Sequence, residues 1–233
     1  MKPGRIGRTV LILALSASCA AADGWKGGTE VPVVTGPGWD ALFNGEDLTG
    51  WERVNGTASY RVEDGAIVGV CDPEASANTF LRTRDAYRDF IFTCEVRMEV
   101  PGNSGIQFRS QQRDGDGRVY GYQYELDPSP RRWSAGIYGE AWRGWMVNLK
   151  ERPEAQAAFR PDHWNRVVIH ARGDHLRTWM NGVPCAELFD DGLREGFFAL
   201  QVHVGKRGTI LWRDLRVKVL NGEDEVPAAK PGS

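Results

Sequence analysis

Two alternating stretches separated by a glycine-rich connector decide the fold: Asn103-Ser104-Gly105-Ile106-Gln107-Phe108-Arg109 and Tyr120-Gly121-Tyr122-Gln123-Tyr124-Glu125-Leu126-Asp127. In an extended strand, successive side chains point to opposite faces of the sheet. The alternation predicts a hairpin with one apolar face, made of Ile106, Phe108, Tyr122, Tyr124 and Leu126. The opposite face carries Gln107, Arg109, Gln123, Glu125 and Asp127.

The polar face of this hairpin consists of amide, guanidinium and carboxylate groups, whereas ordinary solvated faces are rich in Lys, Ser and Thr. Planar hydrogen-bonding groups that converge near aromatic side chains are typical of a binding surface for a small polar ligand. We interpret the face as a surface for a polyol. A half-buried hairpin with one wet face is the alternative.

Composition predicts one globular domain with many turns. The chain has 233 residues, of which 28 are Gly and 12 are Pro, and a single all-β domain can reach this length. The net charge of -2 provides no field that would attract nucleic acid or an anionic membrane. Many short strands and few helix caps predict a two-sheet antiparallel β-sandwich.

The first 22 residues have the pattern of a signal peptide. Basic residues precede an apolar run at residues 10–15, and Ala20-Ala21-Ala22 fits a cleavage site. The run is too short to span a bilayer. We therefore expect a periplasmic or secreted protein that begins at Asp23, although lipid attachment through Cys19 is a competing hypothesis.

The mature chain divides into an extended leader at residues 23–37, a domain at residues 38–221 and a flexible tail at residues 222–233. Short strands are predicted at residues 60–62, 66–70, 79–83, 90–98, 135–139, 164–171, 175–180, 196–204 and 210–220, in addition to the hairpin. Residues 140–160 show no strand periodicity, which indicates a binding loop or a missed element.

The cysteines that remain in the mature chain are Cys71, Cys94 and Cys185. Their spacing does not match a metal site, and at most one disulfide could form among them. Small buried thiols are the preferred interpretation.

The chain resembles the bacterial DUF1080 family, also described as the 3-keto-disaccharide hydrolase domain. The matching motifs occur in the family's order over residues 38 to 220: Leu42-Phe43-Asn44-Gly45, Gly50-Trp51, Asn103-Ser104-Gly105 with Arg109, Gly121 to Asp127, Gly136-Ile137-Tyr138, Trp164-Asn165, Asn181-Gly182 and Leu200-Gln201-Val202-His203. The resemblance implies a concanavalin-like jelly roll. It also implies cleavage of glycosides whose sugar is oxidised to a ketone at carbon 3.

Direct glycoside hydrolysis requires two carboxyl groups that flank the bond. The sequence Glu125-Leu126-Asp127 resembles the start of the carboxylate motif of laminarinase-like jelly-roll glucanases. Ser129 and Pro130 stand where that motif has a further Glu. The sequence therefore favours the route open to a 3-keto sugar, in which a base removes the acidified proton on carbon 2, the leaving group is expelled and water adds.

This chemistry needs a base and a group that stabilises the enolate oxygen. Glu125 or His203 could be the base, and Arg109 or Gln107 could hold the oxygen. A divalent ion bound by Glu125, Asp127 and His203 could also serve, although no spacing demands a cofactor.

The predicted substrate-binding residues combine amide, carboxylate and aromatic side chains: Asn103, Gln107, Gln123, Asp127, Tyr138, Trp142, Trp145 and Gln201. Arg109 could instead form an ion pair with Glu125 or Asp127, and His203 could be structural. Trp142 and Trp145 could pack together as the core of a loop. A carbohydrate-binding module would keep the aromatic and amide groups without needing a base, and an envelope scaffold domain would bind no saccharide.

Overall fold

The computed structural model describes residues 30–205 and 207–221. The described chain forms two antiparallel β-sheets and one short helix, which confirms the predicted all-β sandwich. The predicted signal peptide, Cys19, residues 23–29 of the leader and the tail lie outside the described residues. The strands are β1 Asp40–Ala41, β2 Trp51–Asn55, β3 Ser59–Glu63, β4 Ala66–Val70, β5 Thr79–Thr83, β6 Phe90–Val100, β7 Ser104–Gln112, β8 Val119–Leu126, β9 Ile137–Glu140, β10 Gly144–Val147, β11 Asn165–Arg172, β12 His175–Met180, β13 Val183–Phe189, β14 Phe197–Val202 and β15 Thr209–Val219, and the helix is α1 Pro153–Ala158.

The first sheet has the order β13-β12-β11-β6-β15-β4-β3, with β1 paired to β15. The second sheet has the order β10-β9-β8-β7-β14-β5-β2. Strands β8, β7 and β14 are therefore neighbours, as predicted for the stretches around residues 121–127, 103–109 and 200–204. Their outer face, which points away from the core, carries the candidate site.

The core lies between the two sheets and is rich in aromatic rings. The Phe108 and Tyr122 rings stack with their centroids 5.5 Å apart. The Tyr124 hydroxyl crosses to the first sheet, where it donates to the Trp179 carbonyl at 3.0 Å. Ile106 and Leu126 are also fully buried. The predicted apolar face of the hairpin is thus confirmed.

The β7–β8 hairpin bends and folds over the outer face of its own sheet. Arg109 has φ of 47° and Gly121 has φ of 136°, and the strand register shifts between Phe108 and Gln111. A Cβ atom on Gly121 would lie 2.8 Å from the Ser110 Cα, so only glycine fits there.

Val119, at the start of β8, shows where the bent end of the hairpin lies. It packs in a separate apolar cluster with Phe80, Phe197 and Ala199. Phe80 is paired with Gln201, and Ala199 with Gln107, so both lie on the outer face. The Val119 amide also donates to Asn55 Oδ1 at 3.2 Å. The hairpin end therefore covers part of the outer face and leaves the rest open.

Arg109 does not share the outer face with Gln107, so the predicted placement is wrong. Its side chain is fully buried and donates to the Arg88 carbonyl at 2.6 Å, the Gly173 carbonyl at 2.7 Å and the Asp89 carboxylate at 2.8 Å. Asp89 precedes β6, and Gly173 lies in the turn between β11 and β12. The backbone bulge at Arg109 breaks the alternation and turns the side chain towards the first sheet.

The described part of the leader contacts the outer face of the first sheet through Val34. Val34 packs against Val168 and Trp179, whose chain neighbours Val167 and Met180 point into the core.

Residues 140–160 contain β10 and α1, so this stretch includes missed elements. Pro153 at the first position of α1 and Glu154 in its first turn both favour a helix start.

Cys71, Cys94 and Cys185 are free thiols, and the latter two are buried, as preferred from the sequence. Within residues 30–205 and 207–221, no helix has the length and apolar character needed to cross a bilayer.

Replacing Arg109 tests its role in joining the sheets. We expect Arg109→Met to lower the free energy of unfolding by about 3 to 5 kcal/mol, because it removes a fully buried guanidinium that binds the Arg88 and Gly173 carbonyls and pairs with Asp89. Urea denaturation measures the change. The control Arg61→Met removes an ion pair with Glu63 whose partners are 52% and 56% exposed, and should cost less than about 0.5 kcal/mol. Similar losses for both variants would contradict the assignment.

Candidate functional site

A cavity of about 570 Å³ opens on the uncovered part of the outer face. Tyr138 lies on β9, Glu125 on the neighbouring β8, and His203 directly after β14, which β7 separates from β8. The three side chains therefore line the cavity in that order across the sheet. The sequence-predicted residues that line it are Asn103, Gln123, Glu125, Asp127, Tyr138, Trp145 and His203, and they are joined by Ser129, Arg131 and Glu140.

A chain of hydrogen bonds ends on the Glu125 carboxylate. Ser110 Oγ donates to Gln107 Oε1 at 2.8 Å, and Gln107 Nε2 donates to Gln123 Oε1 at 2.5 Å. Gln123 Nε2 then donates to Glu125 Oε2 at 2.7 Å, while Asn103 Nδ2 donates to Glu125 Oε1 at 2.7 Å. Gln107 thus lies behind Gln123 and does not line the cavity. Its position indicates that it orients the amide of Gln123.

Gly105 makes room for this arrangement. It is paired with Glu125 across the strands, and a Cβ atom there would lie 2.4 Å from Gln123 Cδ. The Gln123 side chain therefore lies directly against the backbone of β7, which any larger residue at position 105 would prevent.

Glu125 is the site carboxyl group whose protonation is most sensitive to its surroundings. Burial raises its pKa from 4.5 to about 7, with a further contribution from Asp127. The hydrogen bonds from Asn103 and Gln123 and the charge of Arg131 oppose this change. A carboxyl group with a pKa near neutrality is a stronger base than an ordinary carboxylate and is still partly ionised at pH 7.

Asp127 differs from Glu125 although it is also buried. Burial tends to raise its pKa, but hydrogen bonds from Arg131 and Ser129 lower it below the usual value. The ion pair with Arg131 keeps Asp127 charged and holds the guanidinium against the rings of Trp133 and Trp145, at 5.1 and 5.2 Å from their centroids.

An aromatic wall closes the cavity on the side of β9 and β10. The Tyr138 and Trp145 rings meet edge to face at 5.3 Å, and Trp133 supports Trp145 at 4.9 Å. Burial raises the pKa of Tyr138, and the charges of Glu140 and Glu125 raise it further. The Tyr138 hydroxyl therefore stays protonated and can donate a hydrogen bond to a ligand.

Glu140 was missed by the sequence analysis, which ended the strand at Gly139. It is 8% exposed, and its carboxylate accepts hydrogen bonds from Asn78 Nδ2 at 3.1 Å and Gln201 Nε2 at 3.4 Å. The alternation of Tyr138 and Glu140 was the available signal, since both point to the outer face. Gln201 is fully buried behind Glu140 and does not line the cavity.

A second depression of about 450 Å³ adjoins the first, and Glu140 and His203 line both. It lies between the bent end of the hairpin and the segment before β5, and Asn55, Asn78, Asp116 and Arg118 contribute polar groups. His203 Nδ1 lies 2.6 Å from the Val204 carbonyl, which can only accept. Nδ1 therefore carries a proton, which leaves Nε2 available to a ligand.

Trp142 is not part of the site, contrary to the sequence-based assignment. Its ring packs edge to face on Tyr122 at 5.3 Å and lies 3.9 Å from the Arg143 guanidinium carbon. Tyr122 belongs to the core face of β8, so Trp142 covers the core at the edge of the sandwich.

The hypothetical metal ligands Glu125, Asp127 and His203 line one cavity, but they do not converge. Within the described residues, no group of three or more His, Cys, Asp or Glu side chains is placed to hold a metal ion. The amides of Asn103 and Gln123 donate hydrogen bonds to the Glu125 carboxylate, and Arg131 forms an ion pair with Asp127.

Residues 38–218 match the model of the 3-keto-alpha-glucoside-1,2-lyase-like domain. The chain belongs to this family. The match includes every residue that lines the two depressions, and it confirms the family suggested by the sequence motifs. No curated protein matches the chain.

Solved structures confirm the fold of this lyase-like domain. A candidate glycosyl hydrolase from Parabacteroides distasonis ATCC 8503 is 20% identical, with a TM-score of 0.57 over 79% of this chain and 94% of that one. A Bacillus subtilis protein of unknown function with a galectin-like fold is 14% identical, with a TM-score of 0.57 over 77% and 94%. The kappa-carrageenase of Pseudoalteromonas carrageenovora is 13% identical, with a TM-score of 0.53 over 81% and 98%.

The pH dependence of stability tests the environment that the lyase-like domain gives Glu125. A raised pKa means that the protonated form stabilises the folded state, so this contribution is complete below pH 4.5 and is lost as the pH rises through about 7. Between these limits the free energy of unfolding should fall by about 3 kcal/mol relative to that of Glu125→Gln.

Urea denaturation of both proteins at several pH values measures this difference. Glu63→Gln, which removes an exposed carboxylate paired with Arg61, controls for the loss of one negative charge. Parallel stability curves for the wild type and Glu125→Gln would contradict the buried environment of Glu125.

Proposed function

We propose that this protein is an exported enzyme that cleaves 3-keto-glycosides by removing the proton on carbon 2, expelling the group on carbon 1 and adding water. The observation that carries the proposal is the buried Glu125, whose pKa is raised to about 7 inside a cavity with an aromatic wall. Membership of the 3-keto-alpha-glucoside-1,2-lyase-like family supports it. The signal-peptide pattern predicted for residues 1–22 supports export.

The ketone decides which route is open. A carbonyl at carbon 3 acidifies the proton on carbon 2, because the electron pair left behind spreads onto the ketone oxygen. The resulting enolate expels the substituent at carbon 1, and water adds to the unsaturated product. Without the ketone, the same proton is too weakly acidic for a carboxylate to remove.

The order of the side chains across the sheet corresponds to the order of the reacting atoms. Glu125 lies between Tyr138 on β9 and His203 beyond β14. With carbon 2 at Glu125, carbon 3 can face Tyr138 and carbon 1 can face His203. Glu125 then acts as the base.

Tyr138 takes the role that the sequence assigned to Arg109 or Gln107. Its protonated hydroxyl can donate to the oxygen on carbon 3 as negative charge develops there, and Arg131 adds a positive charge to the same cavity. Arg109 cannot contribute, because its guanidinium is bound to the first sheet.

The remaining groups bind the sugar. Trp145 and Tyr138 provide a wall against which a pyranose ring can stack, while Asn103 and Gln123 carry amides that can bind hydroxyl groups. These features are equally suited to a carbohydrate-binding module. Glu125 distinguishes the two functions, because binding alone requires no basic carboxyl group.

The choice of substrate tests the reaction. We expect cleavage of methyl 3-keto-glucoside and no measurable cleavage of methyl glucoside. In heavy water, deuterium should appear at carbon 2 of the released sugar, and NMR detects it there. Equal cleavage of the two substrates, without deuterium at carbon 2, would indicate direct hydrolysis. Saccharide binding without any turnover would identify a binding module.

Glu125→Gln tests the base. We expect kcat for the 3-keto substrate to fall about 1,000-fold, because the amide is the same size but cannot accept the proton. Steady-state kinetics measure the loss, and circular dichroism checks the fold. Glu63→Gln, a change far from the cavity, is the control. Retention of more than about a tenth of the wild-type kcat would exclude Glu125 as the base.

A further inference from the structure

The two adjoining depressions meet at Glu140 and His203, which are the residues that line both of them. A glycosidic bond links two chemical groups, and the proposed function places the oxidised sugar in the first depression. The group on carbon 1 then extends into the second depression. The bond to be broken would lie beside Glu140 and His203.

Glu140 is held firmly in this position. Asn78 donates to its carboxylate, and Asn78 Oδ1 in turn accepts from the Val204 amide at 2.9 Å. Glu140 on β9 is paired with Gly121, the residue at which β8 bends. The bend of β8 therefore also positions Glu140 over the outer face.

Gln201 can hydrogen-bond to Glu140 in either protonation state. As placed, its Nε2 donates to the carboxylate at 3.4 Å, while its buried Oε1 has no partner among the described residues. The two ends of an amide side chain can be exchanged by rotation. After that rotation, Oε1 can accept a hydrogen bond from the hydroxyl of a neutral Glu140. Gln201 can therefore stay hydrogen-bonded to Glu140 whichever of the two groups donates.

The geometry points to Glu140 as a second catalytic carboxyl group, which gives its proton to the leaving oxygen. The inference rests on the proposed function. Glu125 takes the proton from carbon 2, and the carbon–hydrogen electron pair moves into the enolate. The enolate then forms the double bond between carbons 1 and 2 and restores the ketone. The bond between carbon 1 and oxygen breaks, its electron pair stays on the oxygen, and the proton of Glu140 joins it.

The addition of water reverses these transfers and returns both carboxyl groups to their starting states. Glu140, now ionised, takes a proton from a water molecule as the water oxygen bonds to carbon 1. Glu125 gives its proton back to carbon 2. The products are the leaving group as an alcohol and the free 3-keto sugar, so the cycle needs no oxidant, reductant or cofactor.

The dependence on the leaving group tests this role. Methoxide is a poor leaving group that needs the proton, whereas 4-nitrophenoxide leaves without it. We expect Glu140→Gln to lower kcat/KM about 100-fold for methyl 3-keto-glucoside and less than about 5-fold for 4-nitrophenyl 3-keto-glucoside. Glu125→Gln should affect both substrates strongly. Equal losses for the two substrates in Glu140→Gln would overturn the assignment.

Hydrogen exchange provides a second measurement. Glu140→Gln keeps the base, so it should still exchange the proton on carbon 2 of methyl 3-keto-glucoside for deuterium while cleavage is blocked. Circular dichroism identifies a misfolded variant, and loss of both reactions in a folded Glu140→Gln variant would overturn the inference. If His203→Gln showed the dependence on the leaving group and Glu140→Gln did not, the proton would come from the imidazole. Failure of the wild type to cleave either 3-keto substrate would instead refute the proposed function itself.

Discussion

The bend in the β7–β8 hairpin is the constraint on which the site depends. Arg109 is bound to two carbonyls and a carboxylate of the first sheet, and its backbone adopts a left-handed conformation to reach them. Beyond this residue, the hairpin can no longer continue flat along its sheet. It folds over the outer face and divides that face into a covered apolar part and an open polar part. The cavity is the open part.

Two neighbouring carboxyl groups show how the protein sets their charge by different means. Asp127 stays ionised because it forms an ion pair with Arg131, whose guanidinium lies against two tryptophan rings. Glu125 receives only neutral amide donors, so burial dominates and its pKa rises. The pKa values of the two carboxyl groups change in opposite directions although the residues are only two positions apart in the chain. A constant charge on one group and an adjustable charge on its neighbour suit a cavity that must both bind a ligand and transfer a proton.

Strand alternation was sufficient to predict the sandwich, the core face of the hairpin and the shared face of Gln123 and Glu125, whereas Tyr138 was a candidate only through the family motif. Alternation failed where backbone geometry departs from a regular strand. The bulge at Arg109 reverses a side chain without a sign in the residue types, since arginine is not typical of positive φ. The second depression arises from the folded hairpin, which is a tertiary effect. Sequence analysis also missed β13, because proline, here Pro184, is uncommon within strands.

The packing of Val34 on Val168 and Trp179 has a practical consequence for how the domain is delimited. The family match begins at residue 38, yet the chain before it already forms part of the folded body. A recombinant fragment cut at the family boundary would uncover an apolar strip across β11 and β12, and such strips promote self-association. The folded body of this protein therefore starts upstream of the region that the family model matches.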